Sequence, residues 1–181
     1  VNLNDPATGS LVVEGTSAQS QTLIADTSAI TDEDGVGPIS YQWYRDDVLI
    51  TGENTSELTL TQEDVGSVIS ADISYIDGSG ATETFASGNT AAVMNTNDAP
   101  TGAPAIVGTL SQDRELTVNT SELADADGLG ELSYQWNRDG VAIDGATAAT
   151  YTLVESDVGT NISVTCLLYT SDAADEGHCG D

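Results

Sequence analysis

Apolar residues recur along this chain with a period of two. Leu23 and Ala25 share one side of a short run while Ile24 lies on the other. The same alternation sets Ile39, Tyr41 and Trp43 against Ser40, Gln42 and Tyr44, and Leu58 and Leu60 against Thr59 and Thr61. It returns in Ile69, Ala71, Ile73 and Tyr75, which alternate with Ser70, Asp72 and Ser74. Alternation of this kind predicts strands with one buried and one wet face, because successive side chains on a strand point to opposite sides. Turn chemistry separates the runs: DEDGVG from Asp32, DD at Asp46, DVG at Asp64 and DGSG at Asp77. Short strands punctuated this closely predict an antiparallel sandwich, and no segment carries the 3.6-residue period of an amphipathic helix.

The pattern occurs twice. Shifting the sequence by 93 residues brings NDPATG at Asn4 onto NDAPTG at Asn97, and SYQWYRD at Ser40 onto SYQWNRD at Ser133, without a gap. A unit this long buries a core by itself, so the repeat predicts two sandwiches in tandem, residues 1–96 and 97–165. Each has one Trp on its third strand and an Asp-x-Gly corner before a strand of inward apolar residues, which is the order of an immunoglobulin-like domain. Neither contains the inter-sheet cysteine pair of antibody domains, so Trp43 is expected to pack on aliphatic residues such as Leu60 and Ile73. Arg45 and Arg138, just after each Trp, are expected to pair with Asp64 and Asp157 at the corners, whose carboxylates also suit backbone N–H groups in a turn.

The repeat stops after Thr165. Leu168 stands where Tyr75 is echoed, and Asp77-Gly78-Ser79-Gly80 has no counterpart. The string CLLYTSDAADE from Cys166 to Glu176 resembles the in-frame translation of a sequencing adapter, so residues 166–181 are set aside as a non-native artefact tail. Cys166 and Leu168 still continue the inward parity of Ile162 and Val164. The expectation is therefore an all-β pair of immunoglobulin-like antiparallel sandwiches, the second truncated before its last strand and much less stable than the first.

Charge narrows the function. Thirty acidic residues against three basic ones give a formal net charge of -27 over 181 residues. Such a chain repels nucleic acid and anionic lipid. No apolar run is long enough for a membrane-spanning helix, and the start of the chain lacks the pattern of a signal peptide, so the sequence reads as an internal piece of a soluble protein with no membrane insertion. Catalysis finds little footing. His178, Cys166 and Cys179 all lie in the set-aside tail, which leaves no triad, and the many acids show no sign of a cleft. The chain is expected not to be an enzyme.

Metal binding is the sharper expectation. Asp32 and Asp34 before Gly35, and Asp125 and Asp127 before Gly128, set alternate carboxylates on a glycine-hinged loop, a hard-oxygen arrangement that suits Ca²⁺. Loop placement in the immunoglobulin-like order gathers Asp5, Asp32, Asp34 and Asp77 at the leading end of unit one. It gathers Asp98, Asp125 and Asp127 at the leading end of unit two, facing acids of the trailing end of unit one such as Asp46, Asp47, Glu63 or Asp64. Such a crowd of carboxylates repels itself unless a cation intervenes.

The motifs NDAPTG, LADADGLG, SYQWNRDG, TYTL and DVG resemble the tandem immunoglobulin-like repeats of long secreted bacterial surface proteins, including RTX-type adhesins. The resemblance covers residues 4–165. It implies an extracellular or cell-surface repeat segment whose partners are neighbouring repeats of the same chain, with calcium as a stiffening ion carried onto the DxDG and ND positions. The alternatives are a module that binds surface carbohydrate or protein through its loops, and an accessory domain of a secreted hydrolase.

Overall fold

A computed structural model describes residues 3–169 and the backbone of residues 176–179. The chain divides into two compact units, Val1–Thr96 and Asn97–Asp181. In unit one, β1 (Val12–Glu14), β2 (Thr22–Asp26) and β5 (Glu57–Thr59) form one antiparallel sheet in the order β1-β2-β5. The facing sheet holds β3 (Ser40–Arg45), β4 (Val48–Leu49), β6 (Ile69–Ile76) and β7 (Thr82–Ala86) in the order β4-β3-β6-β7. A single 3₁₀ turn, Gln62–Asp64, leads into β6.

The alternation in the sequence is the alternation of burial. Leu23, Ala25, Trp43, Leu58, Leu60, Ile69, Ala71, Ile73 and Tyr75 are buried, whereas Ile24, on the other face of β2, is exposed. Trp43 shares its core with Leu60 and Ile73, and its indole N–H donates to the Thr55 carbonyl at 2.9 Å. A buried indole whose only polar atom is paired adds apolar area without a desolvation penalty.

Unit two repeats the layout. Its sheets are β8 (Ala105–Gly108), β9 (Glu115–Asn119) and β12 (Thr150–Thr152) in the order β12-β9-β8, and β10 (Glu131–Arg138), β11 (Val141–Ala142), β13 (Ile162–Tyr169) and β14 (Glu176–Cys179) in the order β11-β10-β13-β14. Trp136 is fully buried, donates to the Ala148 carbonyl at 2.9 Å, and stacks on Tyr151 at a centroid separation of 5.5 Å.

One feature departs from the sequence reading, and the cores of the two units also differ. Unit two does not stop before a last strand: four residues of the set-aside tail, Glu176–Cys179, pair antiparallel with β13 in the register Cys166↔Cys179 to Tyr169↔Glu176. The continued inward parity of Cys166 and Leu168, both fully buried, extends β13 and leaves an edge to which a following segment adds. Residues 170–175, 180 and 181 of that tail lie outside the described residues. The core is also divided. Unit one has one continuous cluster, while unit two has a cluster around Trp136, Leu116 and Leu153 and another around Leu123, Cys166 and Leu168.

The corner ion pairs form as the sequence predicts. Arg45 reaches the buried Asp64 at 2.7 Å, and Arg138 Nε donates to Asp157 at 2.6 Å. The other carboxylate oxygen of each Asp accepts a backbone amide, from Thr61 and Val154 respectively. Burial opposes the charge of Asp157, but the Val154 amide, the Arg138 guanidinium and the Tyr151 hydroxyl outweigh it and hold its pKa below the ordinary carboxylate value. Asp64 is thereby committed within its own unit.

Candidate metal centre

At the leading end of unit one the β2–β3 loop and the β6–β7 turn are laced together by backbone bonds. Asp32 opens a turn in which Oδ1 accepts the Asp34 amide at 2.8 Å and the carbonyl accepts the Gly35 amide. Asp34 then turns outward to its neighbours. Its Oδ2 accepts the Asp5 amide at 2.8 Å, and its carbonyl accepts the Gly78 amide at 3.1 Å. A Cβ on Gly78 would come within 2.3 Å of that carbonyl oxygen, so only glycine lets the two loops approach this closely.

This lacing brings three carboxylates together. Asp32, Asp77 and Glu83 each offer an oxygen, and those oxygens lie within 4.8 Å of one another. Oxygens bound to one Ca²⁺ at about 2.4 Å stand at most about 4.8 Å apart, so the spacing fits a shared ion. Asp77 is 7% exposed. Its Oδ1 accepts the Ser79 amide, the Ser79 hydroxyl and the Ala81 amide, each at 2.8 Å. Its Oδ2 is buried and has no hydrogen-bond partner. Burial works against the charge of Asp77, but the Ser79 hydroxyl and the Ala81, Ser79 and Gly80 amides win, so its pKa is lowered and it stays ionised. A buried, ionised, unpartnered oxygen is costly unless something positive meets it. The donor set is all hard oxygen, which suits Ca²⁺.

Tyr75 supports the same cluster, its hydroxyl donating to Asp32 Oδ2 at 2.9 Å. Burial, the Asp32 bond and charge, and the charges of Glu83 and Asp77 push its pKa up to about 12. Asn4 ties the incoming chain to the cluster by donating to Glu83 Oε1 at 3.3 Å and accepting from the Ser79 hydroxyl.

Of the four residues the sequence places at this end, Asp32 and Asp77 join the cluster. Asp34 directs Oδ2 to the Asp5 amide, and Asp5 meets the loop through its main chain. Glu83 was not anticipated. It pairs across the ladder with Tyr75, so it shares Tyr75's face at the mouth of the site, and the only available signal was its parity with Phe85.

Unit two reproduces the loop. Asp127 Oδ2 accepts the Asp98 amide at 2.7 Å, Asp125 Oδ1 accepts the Asp127 amide at 2.9 Å, and the Asp125 carbonyl accepts the Gly128 amide. Leu168 replaces Tyr75 at the inward position and has no hydroxyl to give. Asp125 Oδ2 is correspondingly buried without a hydrogen-bond partner. Among the described residues, no counterpart of the Asp77 and Glu83 carboxylates completes a three-acid cluster there.

Some acids expected at the trailing end of unit one have local duties. Asp64 is buried against Arg45, Glu63 lies 3.5 Å from the same guanidinium, and Asp46 Oδ1 accepts the Val68 amide.

No protein-family model and no curated protein matches the sequence. Among solved structures, the chain is similar to the three N-terminal domains of the Highly Immunogenic Outer Capsid protein of bacteriophage RB49, with 19% identity and a TM-score of 0.34. That match covers 94% of this chain and 58% of the phage fragment. It is also similar to the tandem Ig repeats of Dlar, at 9% identity and a TM-score of 0.25, covering 96% and 93% of the two chains. Fibronectin(III)-like modules of Clostridium thermocellum CbhA share 13% identity at a TM-score of 0.25, with 96% and 89% covered. The chain itself is a tandem pair of immunoglobulin-like antiparallel β-sandwiches.

Proposed function

We propose that this chain is a non-catalytic segment of a bacterial surface adhesin, a spacer outside the cell whose repeats are stiffened by calcium. The observation that carries the reading is the Asp32, Asp77 and Glu83 cluster with its buried, unpartnered Asp77 Oδ2. Ca²⁺ would be held by those three carboxylates and would neutralise charges that otherwise repel one another at close range.

The mechanism is mechanical. The Asn-Asp pair that opens each unit hydrogen-bonds the same loop, through Asp5 to Asp34 and through Asp98 to Asp127. An ion that orders this loop therefore orders the place where the chain enters a repeat. Binding only the ordered form stabilises it by mass action and stiffens the entrance of a repeat that carries the three-acid cluster, as unit one does. Melting of the intact chain in calcium and in chelator tests the reading. A higher unit-one melting point in calcium is expected, because the three-acid cluster lies at the entrance of that unit, and identical melting in both would reject the calcium-stiffened spacer.

A further inference from the structure

The outer face of the β4-β3-β6-β7 sheet in unit one is not flat. Its outward positions fall in rows set by the ladder: Ser40, Ser74 and Thr84 in one, Gln42, Asp72 and Ala86 in the next, and Tyr44 opposite Ser70 beyond them. The intervening Tyr41, Ile73 and Phe85 pack against the core. Ser40, Ser74, Thr84 and Ala86 are too short to fill the face, and a depression of about 420 Å³ opens among them beside Gln42, Tyr44 and Asp72.

Two planar groups meet at this depression. Tyr44 and Asp72 sit diagonally across the ladder of β3 and β6, and the Tyr44 hydroxyl donates to the Asp72 carboxylate. Burial, together with the charge of Asp72 and that bond, raises the Tyr44 pKa, so the phenol keeps its proton and holds the carboxylate in place. The bond takes one of about four lone-pair positions on an ionised carboxylate. Both side chains are half-buried, and among the described residues no basic one lines the depression. Of the three arginines, Arg45 and Arg138 are already paired with Asp64 and Asp157.

Unit two carries neither group. Asn137 stands for Tyr44 and Thr165 for Asp72, and the Asn137 amide donates to the Thr165 hydroxyl at 3.0 Å, a pair with no charge and no ring. Leu167 stands for Ser74 and brings bulk where unit one is open.

We propose that the unit-one depression is a receptor site for an arginine side chain of a cationic partner protein, with Asp72 accepting from the guanidinium and the Tyr44 ring lying against it. Charge complementarity selects the occupant. A carboxylate beside an aromatic ring matches a guanidinium, which pairs bidentately with the one and stacks on the other, better than it matches an ammonium. The oxygens of Ser40, Gln42 and Ser74 are acceptors for the remaining N–H groups. The field of a chain with a formal net charge of -27 draws such a partner in and turns anions away. The site lies within one unit and does not depend on the metal cluster.

Nuclear magnetic resonance titration of the full chain with a blocked Gly-Arg-Gly peptide tests the proposal. Saturable shifts are expected at the amides of Gln42, Tyr44, Asp72 and Thr84, weakened by added salt, with none to match at Gln135, Asn137 and Thr165. A peptide with neutral citrulline in place of arginine is expected to bind about tenfold more weakly, and Asp72→Asn to weaken the arginine peptide as much. Tyr44→Leu is expected to cost about threefold, and Tyr44→Phe, which keeps the ring, less. Four results would each overturn the proposal: shifts that spread over the acidic surface without saturating, equal binding of the citrulline peptide, binding undiminished in Asp72→Asn, or tighter saturation of the same amides by methyl glucoside.

Discussion

Replacing Tyr75 with Phe removes one oxygen and no apolar surface, so it isolates the bond that Tyr75 makes to Asp32 at 2.9 Å. The variant gives unit one the arrangement unit two already has, a carboxylate oxygen facing a side chain with no donor. A hydrogen bond to a charged group contributes about 1.5–3 kcal/mol when desolvated. Asp32 is only half-buried, and solvent screening reduces the expected loss to about 1–2 kcal/mol. In a domain of this size that lowers the melting point by about 5–10 °C. Near-ultraviolet circular dichroism of the full chain in chelator reads it. The alkaline limb carries a second signature. Tyr75 has its pKa raised to about 12, so the unfolded chain loses this proton first, and the advantage of Tyr over Phe is full below about pH 10 and gone by about pH 12. In calcium the deficit shrinks, because a cation takes over the charge on Asp32. A variant that melts with the wild type in chelator, or a difference that persists unchanged at pH 12, would refute the reasoning.

Three further outcomes follow from the same geometry. Leu168→Tyr supplies the donor that Asp125 Oδ2 lacks and is expected to raise the unit-two transition by about 1 kcal/mol, read by calorimetry of the full chain. Gly78→Ala drives a Cβ to within 2.3 Å of the Asp34 carbonyl, and is expected to lower unit-one stability by about 2 kcal/mol and to weaken calcium uptake together with it. Asp157 has a depressed folded pKa, so its contribution is present above the ordinary value of 3.8 and is lost as pH falls through the folded value. Asp157→Asn is therefore expected to lower the unit-two transition at neutral pH and to flatten its acid limb in a melting series.

Much of the fold was legible because burial here is a parity rule. Ile69, Ala71, Ile73 and Tyr75 are inward in the text and inward in space. The Arg45 and Asp64 pair was legible from position alone, since an Arg at the end of β3 and an Asp at the corner before β6 meet across the ladder. Individual carboxylates were not. Asp32 and Asp34 look alike in the sequence, but turn geometry gives Asp32 to the cluster and sends Asp34 to the Asp5 amide. Glu83 was hidden because a strand reading Thr-Glu-Thr resembles an exposed edge. The role of residues 90–94, which place Val93 in the core of unit one, was hidden too, for the run SGNTAAVM has no alternation and its main-chain bonds, not its side chains, hold most of it in place.

The central claim is that the Asp32, Asp77 and Glu83 carboxylates hold one divalent cation. Calorimetric titration of calcium into the full chain and into Asp77→Asn tests it most directly, since Asn keeps the Oδ1 turn bonds and removes the charge at the unpartnered oxygen. The account predicts saturable uptake by the wild type that is lost in the variant. No uptake at millimolar calcium, or uptake undiminished by Asp77→Asn, would contradict it.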